Sequence, residues 1–209
     1  MSRTYGRFES NNPVPRRRRR ARKLTGSQEF VLGMDAIYIA ALIWTIYMLF
    51  FRVVVVVGPS MYDTLIHGDR LLLVSSLVYQ QPQQGDIIVC SKESFEDGTC
   101  FIKRVIAIEG QEVDIDFEQG IVYVDGIALE EDYIYTSTNR YEGVDFPVVV
   151  EDGHVFVMGD NRANSTDSRS PYIGQVDTRQ IVGKAVFLIS PGDNNGTEEP
   201  QYSRVGWID

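Results

Sequence analysis

The sequence predicts one membrane-spanning α-helix followed by a mainly β domain, its antiparallel sheets closed into a barrel or folded on themselves. Three observations carry that prediction. Phe30 to Phe51 is a stretch of 22 residues with Asp35 as its only charge. Beyond Arg52 the pattern changes to short β-branched runs separated by Gly, Asp, Asn and Pro. No long helical period follows, and strands spaced this closely join as antiparallel neighbours. With 209 residues, 44% of them hydrophobic and 23% charged, the chain has the composition of a folded protein, which excludes wholesale disorder and a collagenous repeat.

Residues 1–29 are polar, contain Pro13 and Pro15, and carry Arg16 to Arg20 followed by Arg22 and Lys23. Too little apolar surface is present to form a core, so this segment reads as a disordered basic tail. Residues 30–52 read as the anchor: at 1.5 Å rise the apolar stretch spans roughly 33 Å, enough for a hydrocarbon core of about 30 Å. A cleaved signal peptide has a shorter apolar run and a small-x-small site after it. A helix apolar all round beside a polybasic run is also a poor fit to a buried core helix. Arginine clusters stay on the cytosolic side, so the tail faces inward and residues 53–209 face outward on a single pass. Asp35, within two turns of the cytosolic end, reaches the interface and reads as a tolerated charge.

Residues 53–190 supply the strands, among them VVVVV from Val53, DRLLLVSSLVY from Asp69, DIIVC from Asp86, CFIKRVIAI from Cys100, HVFVMG from His154 and IVGKAVFLI from Ile181. Residues 191–209, PGDNNGTEEPQYSRVGWID, read as a loosely held terminus. Charge is divided unevenly. Residues 1–52 hold ten Lys/Arg against three Asp/Glu, and residues 53–209 hold ten against twenty-six. A domain this acidic repels phosphate backbones, which excludes a nucleic-acid-binding domain. Cys90 and Cys100 are too few for a disulfide scaffold or a four-ligand zinc site, so neither a metal nor another cofactor is expected.

Three segments carry chemistry. In VVVVVGPSMYDTL, Gly58 and Pro59 break an apolar strand directly before Ser60 and expose its hydroxyl and amide at a corner. By composition alone this is an ordinary turn or a nucleophile site. In CFIKRVIAIEG, Lys103 and Arg104 interrupt an apolar strand, and alternation turns one of them toward the apolar face. A lysine held there loses hydration, favours its neutral amine and accepts a proton from a serine, giving a Ser-Lys dyad. The alternative is a pair of charges guarding an edge strand. Met158 to Val176 crowds Asp160, Arg162, Asp167 and Arg169 into one loop, as a turn or as a self-contained charge network behind a site. His67 and His154 have no motif around them; His67 reads as a turn residue.

In this order, the basic tail, the anchor, GPSMYDTL, GDRLLL, GDIIV, FIKRVIAIEG and GDNRANSTDSR resemble bacterial type I signal peptidase, the leader peptidase family of Ser-Lys dyad serine proteases. The resemblance runs from about Phe30 to Ile189. It implies a barrel-like signal peptidase fold and a membrane-anchored serine endopeptidase that removes signal peptides from exported preproteins. Ser60 falls on the nucleophile and Lys103 on the general base. Ser165 falls on the serine that orients the lysine, and Asp160, Asp167 and Arg169 on structural support. The family's oxyanion hole uses the nucleophile's amide, here that of Ser60, and in some members a serine where this chain has Gly58. The pocket residues match Val54, Val56, Met61, Leu65, Phe101 and Ile102, with a small-x-small preference. Partners implied are preprotein signal peptides and membrane lipid, with no nucleic acid and no metal. The chain departs from the pattern at Asp63, where the family has proline, and at Ala107-Ile108-Glu109-Gly110, where it has G-x-P-G. Cys90 and Cys100 bracket a hairpin loop and are read either as a disulfide or as two free thiols. Two rival readings keep the architecture but not the activity: an inactive membrane-anchored β module that binds partners, and a self-cleaving Ser-Lys regulator, disfavoured by the anchor and by the lack of a DNA-binding domain.

Overall fold

The computed structural model describes residues 26–91 and 100–208. The basic tail up to residue 25 and residues 92–99 of the hairpin loop between Cys90 and Cys100 lie outside the described residues. The chain divides into two compact units, Met1–Leu42 and Ile43–Asp209, and every strand among the described residues lies in the second.

Helix α1 runs Gly26–Phe50, four residues earlier than the apolar stretch suggested. Within it, Gly33–Phe50 is long and apolar enough to cross a membrane, and none of that stretch is buried. The helix stops where the β-branched run begins, because valines restricted at χ1 favour an extended backbone. Phe51 and Arg52, expected in the anchor, already belong to strand β1.

The domain contains β1 (Phe51–Val55), β2 (Arg70–Ser75), β3 (Ile87–Ser91), β4 (Cys100–Ile108), β5 (Glu112–Asp116), β6 (Ile121–Val124), β7 (Ile127–Ala128), β8 (Val148–Val149), β9 (His154–Met158), β10 (Val176–Asp177), β11 (Ile181–Ser190) and β12 (Gly206–Trp207). The larger sheet follows the order β1-β2-β11-β3-β4-β9-β10, with β12 added on β11, and the smaller follows β7-β6-β5-β8. All these strand pairs are antiparallel. No pairing joins β1 to β10 among the described residues, so the large sheet folds on itself without closing into a barrel.

Strand β4 is the hinge of the packing. It lies between β3 and β9, and a register shift at Val105/Ala107 breaks its alternation, so that Lys103 through Ala107 are all buried. Phe101 and Val105 enter a core cluster with Ile88, Val157 and Ile173. Ile106 and Ala107 enter another with Phe156, Met158 and the inward valines of β5 and β6, which seats the smaller sheet on the larger. Register also settles the cysteines. Cys90 faces Phe101 and Cys100 faces Ser91 across β3 and β4, so alternation sends the two thiols to opposite faces. Both are free, Cys90 buried and Cys100 exposed.

The segment after Ser190 is not loose. Buried Asp69 accepts from Gly192 N at 2.7 Å and from both terminal nitrogens of Arg204 at 3.1 and 2.8 Å. Arg204 also donates to the Thr64 carbonyl at 2.9 Å, and β12 pairs with β11. Composition suggested a free terminus because Gly, Asn and Glu dominate it, but a single arginine reaching a buried carboxylate fixes it. Arg204→Met leaves that carboxylate without its cation and is expected to destabilise the chain by about 2–4 kcal/mol, read as a lowered Tm in a thermal melt.

Candidate active site

Where the β1–β2 ladder ends, Gly58 takes φ +91°, a conformation that favours glycine, and Pro59 follows. The chain then turns through Ser60 to Ile66, with Leu65 N donating to the Met61 carbonyl at 2.8 Å. Met61, Leu65 and Ile66 are buried, so the turn is rooted in the core and lifts Ser60 out of it. Lys103 arrives from the middle of β4, opposite Ile88. The residue is 3% exposed, and Nζ lies 2.9 Å from Ser60 Oγ while donating to the Ile102 carbonyl at 3.1 Å.

Alternation predicts that one of Lys103 and Arg104 faces inward, yet both are buried, on opposite faces of β4. The edge-guard alternative fails because β4 is an interior strand. Arg104 is held by Asp160 at 3.0 and 2.8 Å and by the Gly85 carbonyl at 2.9 Å, with its guanidinium 4.0 Å from the Tyr133 ring centre.

The loop from Gly159 to Arg169 braces the turn, but its charges do not form a closed network. Asp160 reaches out to Arg104 and to the Thr64 hydroxyl at 2.6 Å. Arg162 pairs with Glu131 and with Thr138 Oγ1. Among the described residues, only Asp167 and Arg169 form an ion pair within the loop, at 2.8 Å. Asn161 clasps the nucleophile corner directly: its amide donates to the Ser60 carbonyl at 3.0 Å and its Nδ2 to the Pro59 carbonyl at 3.1 Å. Gly159 leaves no room for a side chain, since a Cβ there would collide with the Ser60 carbonyl oxygen and with Ser165 Oγ. Sequence reasoning missed Gly159, Asn161 and Thr64 as site residues. Their signal was present, because Gly159 and Asn161 flank Asp160 in the charged loop, but their partners are about a hundred residues away in sequence.

The expected bond from Ser165 to Lys103 is not formed. Ser165 is buried, and its Oγ has no hydrogen-bond partner among the described residues. The lysine amine is satisfied by Ser60 Oγ and the Ile102 carbonyl instead. Of the two oxyanion candidates, Gly58 has its amide engaged by His67 Nδ1 at 3.2 Å. The Ser60 amide has no acceptor among the described residues.

Burial pushes the Lys103 amine below the ordinary lysine range, against an opposing pull from the Asp167 carboxylate and with a further push from Arg169. Burial alone would raise Asp167, but its hydrogen bonds from Arg169 and the Gly159 amide outweigh that and hold it below the usual carboxylate range. The neighbouring Cys90 thiol is pushed up to about 12 by burial and stays protonated. The site thus holds a dry amine beside a groove-facing alcohol, an arrangement able to move a proton from hydroxyl to nitrogen as the oxygen attacks a carbonyl.

Ser60 and Lys103 open onto a groove of about 600 Å³. Val54, Val56, Met61, Phe101 and Ile102 line it as expected. Leu65 does not; it packs in the core with Met61, Leu71 and Leu73.

The family described as "Signal peptidase, peptidase S26" matches residues 29–190, and the chain belongs to that family. A probable signal peptidase I-1 of Synechocystis sp. is 42% identical over 147 residues, 66% of this chain and 71% of its own. Signal peptidase I U of Bacillus subtilis is 33% identical over 168 residues, 77% of this chain and 87% of its own. A crystal structure of a signal peptidase I from Enterococcus faecalis shares 32% identity and covers 50% of this chain and 96% of its own, with a TM-score of 0.41.

Gly159→Ala is expected to cost roughly 2–3 kcal/mol and to abolish activity, because one of the atoms it strikes is backbone and cannot swing away. Wild-type turnover and Tm in this variant would contradict the close approach.

Proposed function

We propose that this chain is a membrane-anchored serine endopeptidase that removes N-terminal signal peptides from exported preproteins, cutting after small-x-small sites. The observation that carries the reading is the 2.9 Å separation of Lys103 Nζ and Ser60 Oγ, with the amine buried. Family membership supports the substrate class. The anchor is a single pass with its N-terminus in the cytosol, and the β domain works on the outer side. Ser60 follows Phe50, the last helical residue, by only ten positions, so the nucleophile works near the membrane surface where a preprotein's cleavage site emerges.

In the first step neutral Lys103 takes the Ser60 hydroxyl proton as Oγ forms a bond to the scissile carbonyl carbon. The C–N bond then breaks, and the lysine ammonium returns the proton to the departing amine. Water repeats the sequence on the acyl-enzyme: Lys103 takes its proton, its oxygen attacks the ester carbonyl, and Ser60 leaves with the proton restored. The Ser60 amide faces the developing oxyanion. The substrate lies extended along the groove on the free edge of β1, alternate side chains entering pockets walled by Val54, Val56, Phe101 and Ile102, which admit alanine-sized groups and clash with larger ones.

Ser60→Ala and Lys103→Ala are each expected to abolish cleavage of a preprotein while the thermal melt stays cooperative. Retained cleavage by either variant would overturn the dyad. The pH dependence has a definite sign. Because burial depresses the amine's pKa, the neutral base appears at lower pH than for a free lysine, so kcat/KM on a synthetic signal-peptide substrate should rise with pH and level off before about pH 10.4, the ordinary lysine value. A rate independent of pH would exclude a lysine base.

A further inference from the structure

The geometry points to His67 as a positioning residue that fixes the nucleophile corner by accepting the Gly58 amide, an inference that rests on Ser60 being the nucleophile. The β1–β2 ladder pairs Phe51–Val55 with the residues from Val74 back to Arg70. It continues one step further through backbone bonds, Val56 N to the Asp69 carbonyl at 2.8 Å and Gly68 N to the Val56 carbonyl at 3.0 Å. The next rung is not backbone. Gly58 N donates to His67 Nδ1 at 3.2 Å, so an imidazole ring supplies the acceptor where the strand partner has turned away.

Packing does little at Gly58 itself. A Cβ there would meet no atom within 4 Å, so the space on that side of the glycine, in its left-handed conformation, is open. Pro59 has no N–H to contribute. Beyond the proline, Asn161 holds the Pro59 and Ser60 carbonyls. Between the Val56 rung and the proline, the hydrogen bond among the described residues is the one to His67. Two residues, Asn161 and His67, therefore grip the corner from its two ends. A wandering Gly58 would carry Ser60 Oγ away from Lys103 Nζ and turn the Ser60 amide from the place an oxyanion must occupy, and proton transfer and attack are sensitive to shifts of about 1 Å.

The histidine is itself well anchored. The His67 carbonyl accepts from Asn194 N at 3.1 Å, and Gly192 approaches that carbonyl so closely that a Cβ on it would collide. The C-terminal segment thus holds the histidine that holds the corner. His67 acts on the chemistry through Gly58 and not by touching substrate.

Three variants separate the hydrogen bond from ring packing. His67→Phe keeps a planar ring without an acceptor. His67→Asn places Oδ1 near the position of Nδ1. His67→Ala removes both. With a synthetic signal-peptide substrate, at a temperature well below each variant's Tm, His67→Phe and His67→Ala should lower kcat about tenfold with KM changed by no more than about twofold, while His67→Asn stays within about threefold of wild type. Wild-type kcat in His67→Phe, or an equal loss in His67→Asn, overturns the proposal. A second readout is independent of proteolysis: in a Ser60→Ala background the Gly58 amide should exchange its hydrogen faster with His67→Phe and at the parent rate with His67→Asn. Unchanged exchange in the Phe variant overturns the corner's dependence on His67, whereas a wild-type chain that cleaves nothing overturns the peptidase reading and leaves the exchange result standing.

Discussion

A lysine side chain buried in the middle of an interior strand is the constraint on which the rest of the site depends. Strand β4 is hydrogen-bonded on both sides, to β3 and β9, so the backbone pairing fixes the face from which Lys103 projects. Its loss of hydration favours the uncharged form, and the nearby carboxylate of Asp167 works against that. Arg169 pairs with Asp167 at 2.8 Å and offsets part of that carboxylate's field at the lysine, in the same direction as the larger effect of burial. The Asp167–Arg169 pair therefore acts on the charge state of the amine, which burial dominates, as well as on the shape of the loop.

The nucleophile needs a different kind of support, since a hydroxyl that must face the groove cannot be fixed by burial. The turn from Ser60 to Ile66 is sunk in the core through Met61 and Leu65 and then tied by polar contacts from distant parts of the chain. Asn161 takes the Pro59 and Ser60 carbonyls, Asp160 takes the Thr64 hydroxyl, and Arg204 takes the Thr64 carbonyl. Asp160 also holds Arg104, the residue after the lysine. One carboxylate thus links the serine turn to the lysine strand and fixes the spacing between them.

Much of this was legible in the sequence, and the parts that were not share a cause. A glycine and a proline ending a valine run mark a corner at Ser60 by local sterics alone. A cation in an apolar strand marks Lys103 by alternation. Whether that cation guards an edge or sits in the interior depends on which strands flank β4, and β9 lies about fifty residues further on. The same limit applies to Leu65, which is core instead of groove, and to the Ser165 hydroxyl, whose surroundings are set by Gly159 and the Ser60 carbonyl. It applies most to the C-terminal segment. Its composition is that of a loop, and only the distant carboxylate of Asp69 shows why it is held. The helix was found from its apolar length, but its end was placed two residues late because Phe51 and Arg52 have no local feature separating helix from strand.

Titration of the Lys103 amine itself is the most direct test of a dry, uncharged base. With lysine side chains isotopically labelled and the Lys103 resonance assigned by its loss in a Lys103→Ala sample, the Nζ chemical shift followed against pH in a Ser60→Ala background should report a midpoint well below the ordinary lysine value of about 10.4. A midpoint at or above that value would mean that the amine is charged at working pH and cannot serve as the base beside Ser60.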